Sequence, residues 1–259
     1  MAAREGLSLH QERGQDVLID SHCHVDQFPN PEEIVRGCEK NSIRVVAVTN
    51  LPSDFVVAAD RLKDNKYVSA AIGMHPLMAA KAIREMSAFR RLIPQIDYVG
   101  EIGLDYSPEG VATKAVQNRL FDEVLCSLSD RHRFVTIHSR RAESEVLSRL
   151  EAHHIERAVF HWYTGSTSTL DRIVQSGHFI SINGAMLRSS NGLTLVRRVP
   201  REAILVETDG PFSKIADRQS TPLEVMTVYE KLSAEKGWPL PELIEIVSGN
   251  FARAASMIA

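Results

Sequence analysis

The chain has 259 residues, a net charge of −3, and 44% hydrophobic and 24% charged residues, a composition that suits a globular protein large enough for one sizeable core. It has no apolar run long enough to cross a membrane as a helix. The mild acidity argues against a broad basic surface that wraps nucleic acid, so contacts to a polyanion must be local or metal-mediated. The three cysteines, Cys23, Cys38 and Cys126, are too few and too scattered for a disulfide framework and fit a reducing cytoplasm.

Residues 1–16 are polar, contain Gly6 and Gly14 and lack a charged-then-apolar leader pattern, so they read as a mobile N-terminal arm ahead of a single domain over 17–259. Val17 to Ile19 is the first apolar run and reads as a buried strand. Pro31 to Lys40 follows as a helix with proline near its start. Arg44 to Thr49 is a second strand, and Ser53 is expected to cap a helix reaching about Asp64. Val68 to Ile72 is the third strand, a helix fills Met78 to Leu92, and Tyr98 to Gly100 is the fourth strand.

Thr113 is expected to cap a long helix whose Val116, Leu120, Val124 and Leu128 share one face. Phe134 to Ile137, Ala158 to Phe160, His178 to Ile182 and Ile204 to Glu207 complete the strands, separated by helices over Ala142 to His153, Thr167 to Ser176 and within Leu193 to Arg198. Pro222 to Glu235 and Pro239 onward are closing helices. Eight strands alternating with helices call for a parallel sheet and point to a closed (β/α)8 barrel. A doubly wound open sheet is the alternative, but the first strand lacks the glycine-rich dinucleotide fingerprint.

His22, His24, His75, Glu101, His138, His161 and Asp209 all fall at or just beyond the C-terminal ends of these strands, which in a barrel share one mouth. His22 and His24 are two apart in extended chain and point the same way, a spacing that lets both hold one metal ion. His10, His132, His153 and His154 fall in the arm or near helix ends, and His178 opens the seventh strand at the opposite end; these read as structural. Arg140 reads as a phosphate clamp or as one half of a salt bridge across the mouth. Asp105 reads as orienting a ligand or capping its loop. Trp162 and Tyr163 are suited to stacking a base, or to packing beneath their loop.

The segments DSHCHVD (Asp20 to Asp26), GMHP (Gly73 to Pro76), GEIGLDY (Gly100 to Tyr106), VTIHSR (Val135 to Arg140), HWYTGS (His161 to Ser166), ETDGPF (Glu207 to Phe212) and GNFAR (Gly249 to Arg253) together resemble the TatD-like metal-dependent deoxyribonucleases. The resemblance implies a TIM barrel of the metal-dependent hydrolase type, two divalent cations and hydrolysis of phosphodiester bonds in DNA. By the same resemblance, His22, His24 and Asp209 hold one metal and His138 and His161 the second. Glu101 bridges them and, with Asp209, is catalytic, and His75 lies near the substrate phosphate. The mouth loops depart from the usual family at Trp162-Tyr163, at Gly210 and in NGAMLRSS, and with SRRA they resemble the nucleases of Qat anti-phage defence systems. The implied partners are single-stranded DNA or strand ends and defence-system proteins, with no membrane, for a cytoplasmic monomer or weak oligomer.

Imidazole donors favour Zn²⁺ or Mn²⁺, whereas phosphoryl chemistry often uses Mg²⁺. Two other readings stand beside the nuclease: a hydrolase of a small amide, ester or phosphoester on the same scaffold, and a non-catalytic subunit of a defence assembly.

Overall fold

Eight strands, apolar along most of their length and covered on both faces, pair in parallel and in sequential order: β1 (Leu18–Cys23), β2 (Ile43–Val48), β3 (Val68–Met74), β4 (Tyr98–Gly103), β5 (Phe134–His138), β6 (Val159–His161), β7 (Phe179–Ile182) and β8 (Ile204–Val206). The computed structural model describes residues 17–128, 132–215 and 218–255; the arm expected over residues 1–16 and His10 within it lie outside the described residues. Sequential order excludes the doubly wound sheet, whose order reverses at an internal switch point. The strands form a nearly closed TIM barrel, with helices α1 (Pro31–Lys40), α2 (Pro52–Leu62), α3 (Ala79–Ala82), α4 (Met86–Leu92), α5 (Lys114–Leu128), α6 (Glu143–Ala152), α7 (Thr167–Gln175) and α8 (Ser190–Arg198) between them. Helices α9 (Val225–Lys236) and α10 (Leu240–Ala254) close the chain, after a short antiparallel pair, β9 (Lys214–Ile215) with β10 (Arg218–Gln219).

The seam between β1 and β8 is joined by groups outside a regular ladder. Ser21 Oγ donates to the Val206 carbonyl at 2.9 Å. Asp20 accepts from the Thr208 N–H at 2.9 Å and from the Thr208 hydroxyl at 2.5 Å. The Asp209 N–H donates to the His22 carbonyl at 3.0 Å. Beneath the seam, the Tyr229 hydroxyl accepts from the Ile19 N–H and donates to the Ile19 carbonyl, both at 3.1 Å. Asn250 ties α10 to the barrel by donating to the Arg201 and Ile204 carbonyls, each at 2.7 Å.

Two expected elements differ. Pro52 takes the first turn of α2, and Ser53 is not its cap; instead the Glu85 carboxylate accepts from both the N–H and the hydroxyl of Ser53 at 2.8 and 3.0 Å. Glu85 sits in a 3₁₀ turn, Ile83–Glu85, that divides the single helix expected over 78–92 into α3 and α4. Buried Ala79, Ala82, Met86 and Phe89 still keep one continuous apolar face through that turn. In α5, Leu120, Val124 and Leu128 are buried as the periodicity demands, with Phe121 and Leu125 beside them.

Candidate metal centre

The C-terminal ends of the strands bring His24, Glu101, His138, His161 and Asp209 to the lining of one cavity of about 610 Å³, with His22 wholly buried beside them. His22 lies on β1 and His24 one residue past its end, Glu101 on β4, His138 and His161 at the ends of β5 and β6, and Asp209 just after β8. All except His138 are at least nine-tenths buried.

Glu101 stands at the centre, and its two oxygens face different histidines. Oε2 lies 3.1 Å from His24 Nε2, 3.4 Å from His75 Nε2 and 3.6 Å from His22 Nε2. Oε1 lies 2.5 Å from His138 Nδ1 and 2.8 Å from His161 Nε2. Asp209 Oδ1 joins the first set, 3.7 Å from His22 Nε2 and 3.9 Å from His24 Nε2. Ligand atoms about 2.0–2.2 Å from one cation stand roughly 3–3.5 Å from each other, so these separations are close to those of a coordination shell. His22, His24 and Asp209 form one such cluster, and His22 with Glu101 and His161, and His75 with Glu101 and His138, form two more.

The donors suit a divalent cation. His22 Nε2 is buried, aimed at Glu101 and Asp209, and without a hydrogen-bond partner. Its other nitrogen is 2.8 Å from the Thr136 hydroxyl, which sets the ring's orientation. Burial and the neighbouring His161 hold His22 well below the usual imidazole range, so it is neutral with a lone pair to offer. Burial acts to raise the Glu101 carboxyl, but His75, His161 and His138 outweigh it and keep Glu101 ionised, well below its ordinary range. Burial lowers His161 and His138, but Glu101 outweighs it and raises both, with Asp105 also raising His138. Burial raises Asp209 well above the ordinary range, and Glu207 and Glu101 add to it against His161.

A supporting layer holds these side chains. Asp105 Oδ2 is 2.8 Å from His138 Nε2, while its Oδ1 accepts from the Ser107 N–H at 2.8 Å; Asp105 therefore both orients His138 and caps its own loop. Buried Glu207 accepts from Ser181 Oγ, from Asn183 Nδ2 and the Trp162 N–H at 3.0 Å each, and stands 3.7 Å from His161 Nδ1. Trp162 and Asp209 have left-handed backbones, φ 39° and 48°, a conformation that costs of order 1–3 kcal/mol and persists where neighbours over-determine it. Glu207 supplies that restraint to Trp162. For Asp209 it comes from the His22 carbonyl on one side and from the N–H groups of Phe212 and Ser213, which donate to its carbonyl at 2.9 and 3.0 Å.

Two glycines make room. A Cβ on Gly100 would lie 2.2 Å from Thr136 Cγ2, displacing the residue that orients His22. One on Gly210 would lie 2.3 Å from the Ser220 carbonyl oxygen. The Gly210 carbonyl accepts from the His24 N–H at 2.8 Å, so the glycine before Pro211 in this chain's loop anchors His24.

The remaining candidates divide. His75 faces Glu101 with Nε2 while its Nδ1 accepts from the Leu77 N–H at 3.1 Å and caps that turn. Arg140 lines the cavity, half exposed and 3.6 Å from Glu109 Oε2. Trp162 lines the cavity, whereas Tyr163 is 1% exposed and donates to the Ser166 carbonyl at 2.7 Å beneath the loop. Asp20, Thr136 and Glu207, to which sequence reasoning assigned no role, each stand two positions before a candidate ligand; for Asp20 and Thr136, which lie on β1 and β5 with the ligand that follows, that period-2 spacing is the signal that marks them. His178 is buried away from the centre, its Nδ1 accepting from the Ala158 N–H at 3.1 Å.

A parallel barrel with histidines and carboxylates converging at its mouth defines the class of metal-dependent hydrolases. The chain belongs to the TatD related DNase family, whose family model matches residues 19–256. It is 25% identical to the deoxyribonuclease TATDN3 of Homo sapiens over 90% of this chain and 92% of that protein. It is 28% identical to the metal-dependent hydrolase YcfH of Escherichia coli over 91% of this chain and 94% of that protein. The solved structure of the TatD homologue YjjV from E. coli shares the fold with a TM-score of 0.84 at 24% identity, covering 93% of this chain and 98% of that one. Among the described residues, no helix is long and apolar enough to cross a membrane.

Proposed function

We propose that this chain is a two-cation nuclease that hydrolyses DNA phosphodiester bonds, working exonucleolytically on strand ends. The observation that carries the reading is the division of the histidines between the two oxygens of Glu101. His22, His24 and Asp209 would hold one divalent cation, His138 and His161 the other, with Glu101 shared between them. Divalent cations held there would supply an activated water and offset charge on the transferring phosphoryl group. Asp209 holds the attacking water from the floor and accepts its proton. His75 and Arg140, both on the cavity wall, grip the phosphate, and Trp162 stacks a base, with Tyr163 supporting that loop from below. Thr136, Asp105 and Glu207 keep the imidazoles in register. A mouth of this size favours a strand end over a continuous duplex. The mouth loops that resemble Qat-system nucleases support a role in anti-phage defence.

One observation favours a second reading, a hydrolase of small esters or phosphoesters: Arg140 is the one Lys or Arg among the described residues lining the cavity. The Glu101→Gln variant, assayed with Mn²⁺ or Mg²⁺ on end-labelled single strands, closed circular duplex and a small-ester panel, tests the proposal. The amide keeps size but loses the charge that both clusters share. The variant should fold, with an unchanged cooperative melt in chelator, lose metal at both sites and lose hydrolysis almost entirely. A folded, metal-replete and active Glu101→Gln protein would sink the two-cation mechanism. Wild-type activity confined to the ester panel would install the second reading.

A further inference from the structure

The rim of the mouth differs in chemistry from its floor. Among the described residues, seven large hydrophobic side chains are exposed, and three of them, Leu77, Met78 and Phe212, line this single cavity. Clustered exposed apolar groups beside a polar floor mark a surface that meets a ligand. Trp162, just past β6, lines the same cavity, so the apolar groups come from the loops after β3, β6 and β8 and form a collar around the candidate metal centre.

Phe212 is the most exposed of them, at 57%. Its ring stands nearly perpendicular to that of His24, with centroids 4.9 Å apart. Its backbone is held by the bond from its N–H to the Asp209 carbonyl and by Pro211 before it. An exposed aromatic ring on a pinned backbone, beside a candidate ligand, loses little freedom when another flat group stacks on it.

We infer that Phe212 is the stacking platform for the nucleobase of the terminal nucleotide, so that the mouth takes a strand end by its base as well as by its reacting phosphate. This rests on the nuclease reading above. Charge points the same way. Arg140 is 3.6 Å from Glu109, and the chain's net charge is −3, so phosphates beyond the reacting one meet little positive field. Affinity for the strand must then come from faces of bases. Every base has such a face, so a platform of this kind accepts any sequence but requires a base.

The test compares single strands whose terminal nucleotide carries a base with strands whose terminal nucleotide is abasic. Removing one stacked base costs about 5- to 150-fold. The wild-type chain should therefore favour the base-bearing end by that factor in kcat/KM, with little dependence on which base it is. Phe212→Ala should fall on base-bearing ends to the rate the wild type shows on abasic ends, and Phe212→Trp should restore the preference. A terminal 2-aminopurine, on a strand whose last linkage is an uncleaved methylphosphonate, should be quenched on binding to the wild type and to Phe212→Trp but not to Phe212→Ala, all three giving cooperative melts. Equal wild-type rates on both ends, or equal losses on both in Phe212→Ala, would overturn the platform while leaving the nuclease reading intact. If the wild type cuts neither strand, the nuclease reading fails and an unquenched 2-aminopurine overturns the platform with it. A Phe212-dependent KM for a small ester, with no quench, would give the collar to an acyl or aryl group instead.

Discussion

His22 shows how a single side chain is specified at two levels. Its place beside His24 follows from extended geometry, because residues two apart share a face. Its readiness to bind follows from burial and from Thr136, which occupies one ring nitrogen and leaves the other unpartnered. His178 shows the opposite use of the same side chain. It is buried, accepts from the Ala158 N–H, and its pKa is lowered to about 4 by burial. An unfolded histidine titrates near 6.5, so between about pH 4 and 6.5 the unfolded chain binds more protons than the folded one, and stability rises with pH across that window. His178 should cost the wild type about 2 kcal/mol at pH 5 relative to pH 7.5. His178→Asn, which retains an acceptor for the Ala158 N–H, should show a flatter pH profile in denaturant titrations. Parallel profiles for the two proteins would assign the acid sensitivity to other groups.

At the level of elements, β1 carries the greatest demand. It supplies His22, borders β8 at the seam, and has its Ile19 backbone groups satisfied by a phenol from α9. Tyr229→Phe keeps the buried ring but strands one buried donor and one buried acceptor. The expected loss is about 2–4 kcal/mol, read as a lower denaturant midpoint with an unchanged slope. A change within about 0.5 kcal/mol would mean that water or a shifted strand satisfies Ile19 equally well. Helix α2 makes the complementary point: its first-turn amide is capped by Glu85 from a distant turn rather than by a residue of its own, so local cap chemistry around Ser53 misidentified the partner.

At the scale of the whole molecule, the candidate ligands come from β1, β4, β5, β6 and the segment after β8, so a bound cation would tie together strands from both sides of the seam. Binding to the folded state alone stabilises by about 2.7 kcal/mol at a free concentration 100 times Kd. Divalent metal should therefore raise the melting temperature of the wild type by several degrees, chelator should reverse it, and Glu101→Gln should lose most of the response. Identical wild-type melts with and without metal would separate metal binding from this centre.

The alternation of apolar runs with helical periods determined a parallel sheet covered by helices on its outer face, because nearly continuous hydrophobic strands must be buried; closure into a barrel rather than an open doubly wound sheet was decided by the sequential strand order. The same pattern placed His22, His24, Glu101, His138, His161 and Asp209 at strand ends, and strand ends in a barrel share a mouth. Asp20 and Thr136 precede His22 and His138 by two along β1 and β5, so period 2 could have marked them, whereas Glu207 and Asp209 lie past the end of β8. The sequence could not say which neighbour each of the three serves: Thr136 orients His22 across the barrel, Asp20 holds Thr208, and Glu207 holds Trp162. Nor could it separate Trp162 from Tyr163, one on the cavity wall and the other beneath it, or show that Phe212 stands exposed at the rim. Those outcomes depend on which strands become neighbours and how each loop turns back over the mouth, contacts between residues as many as 188 positions apart that only tertiary structure decides.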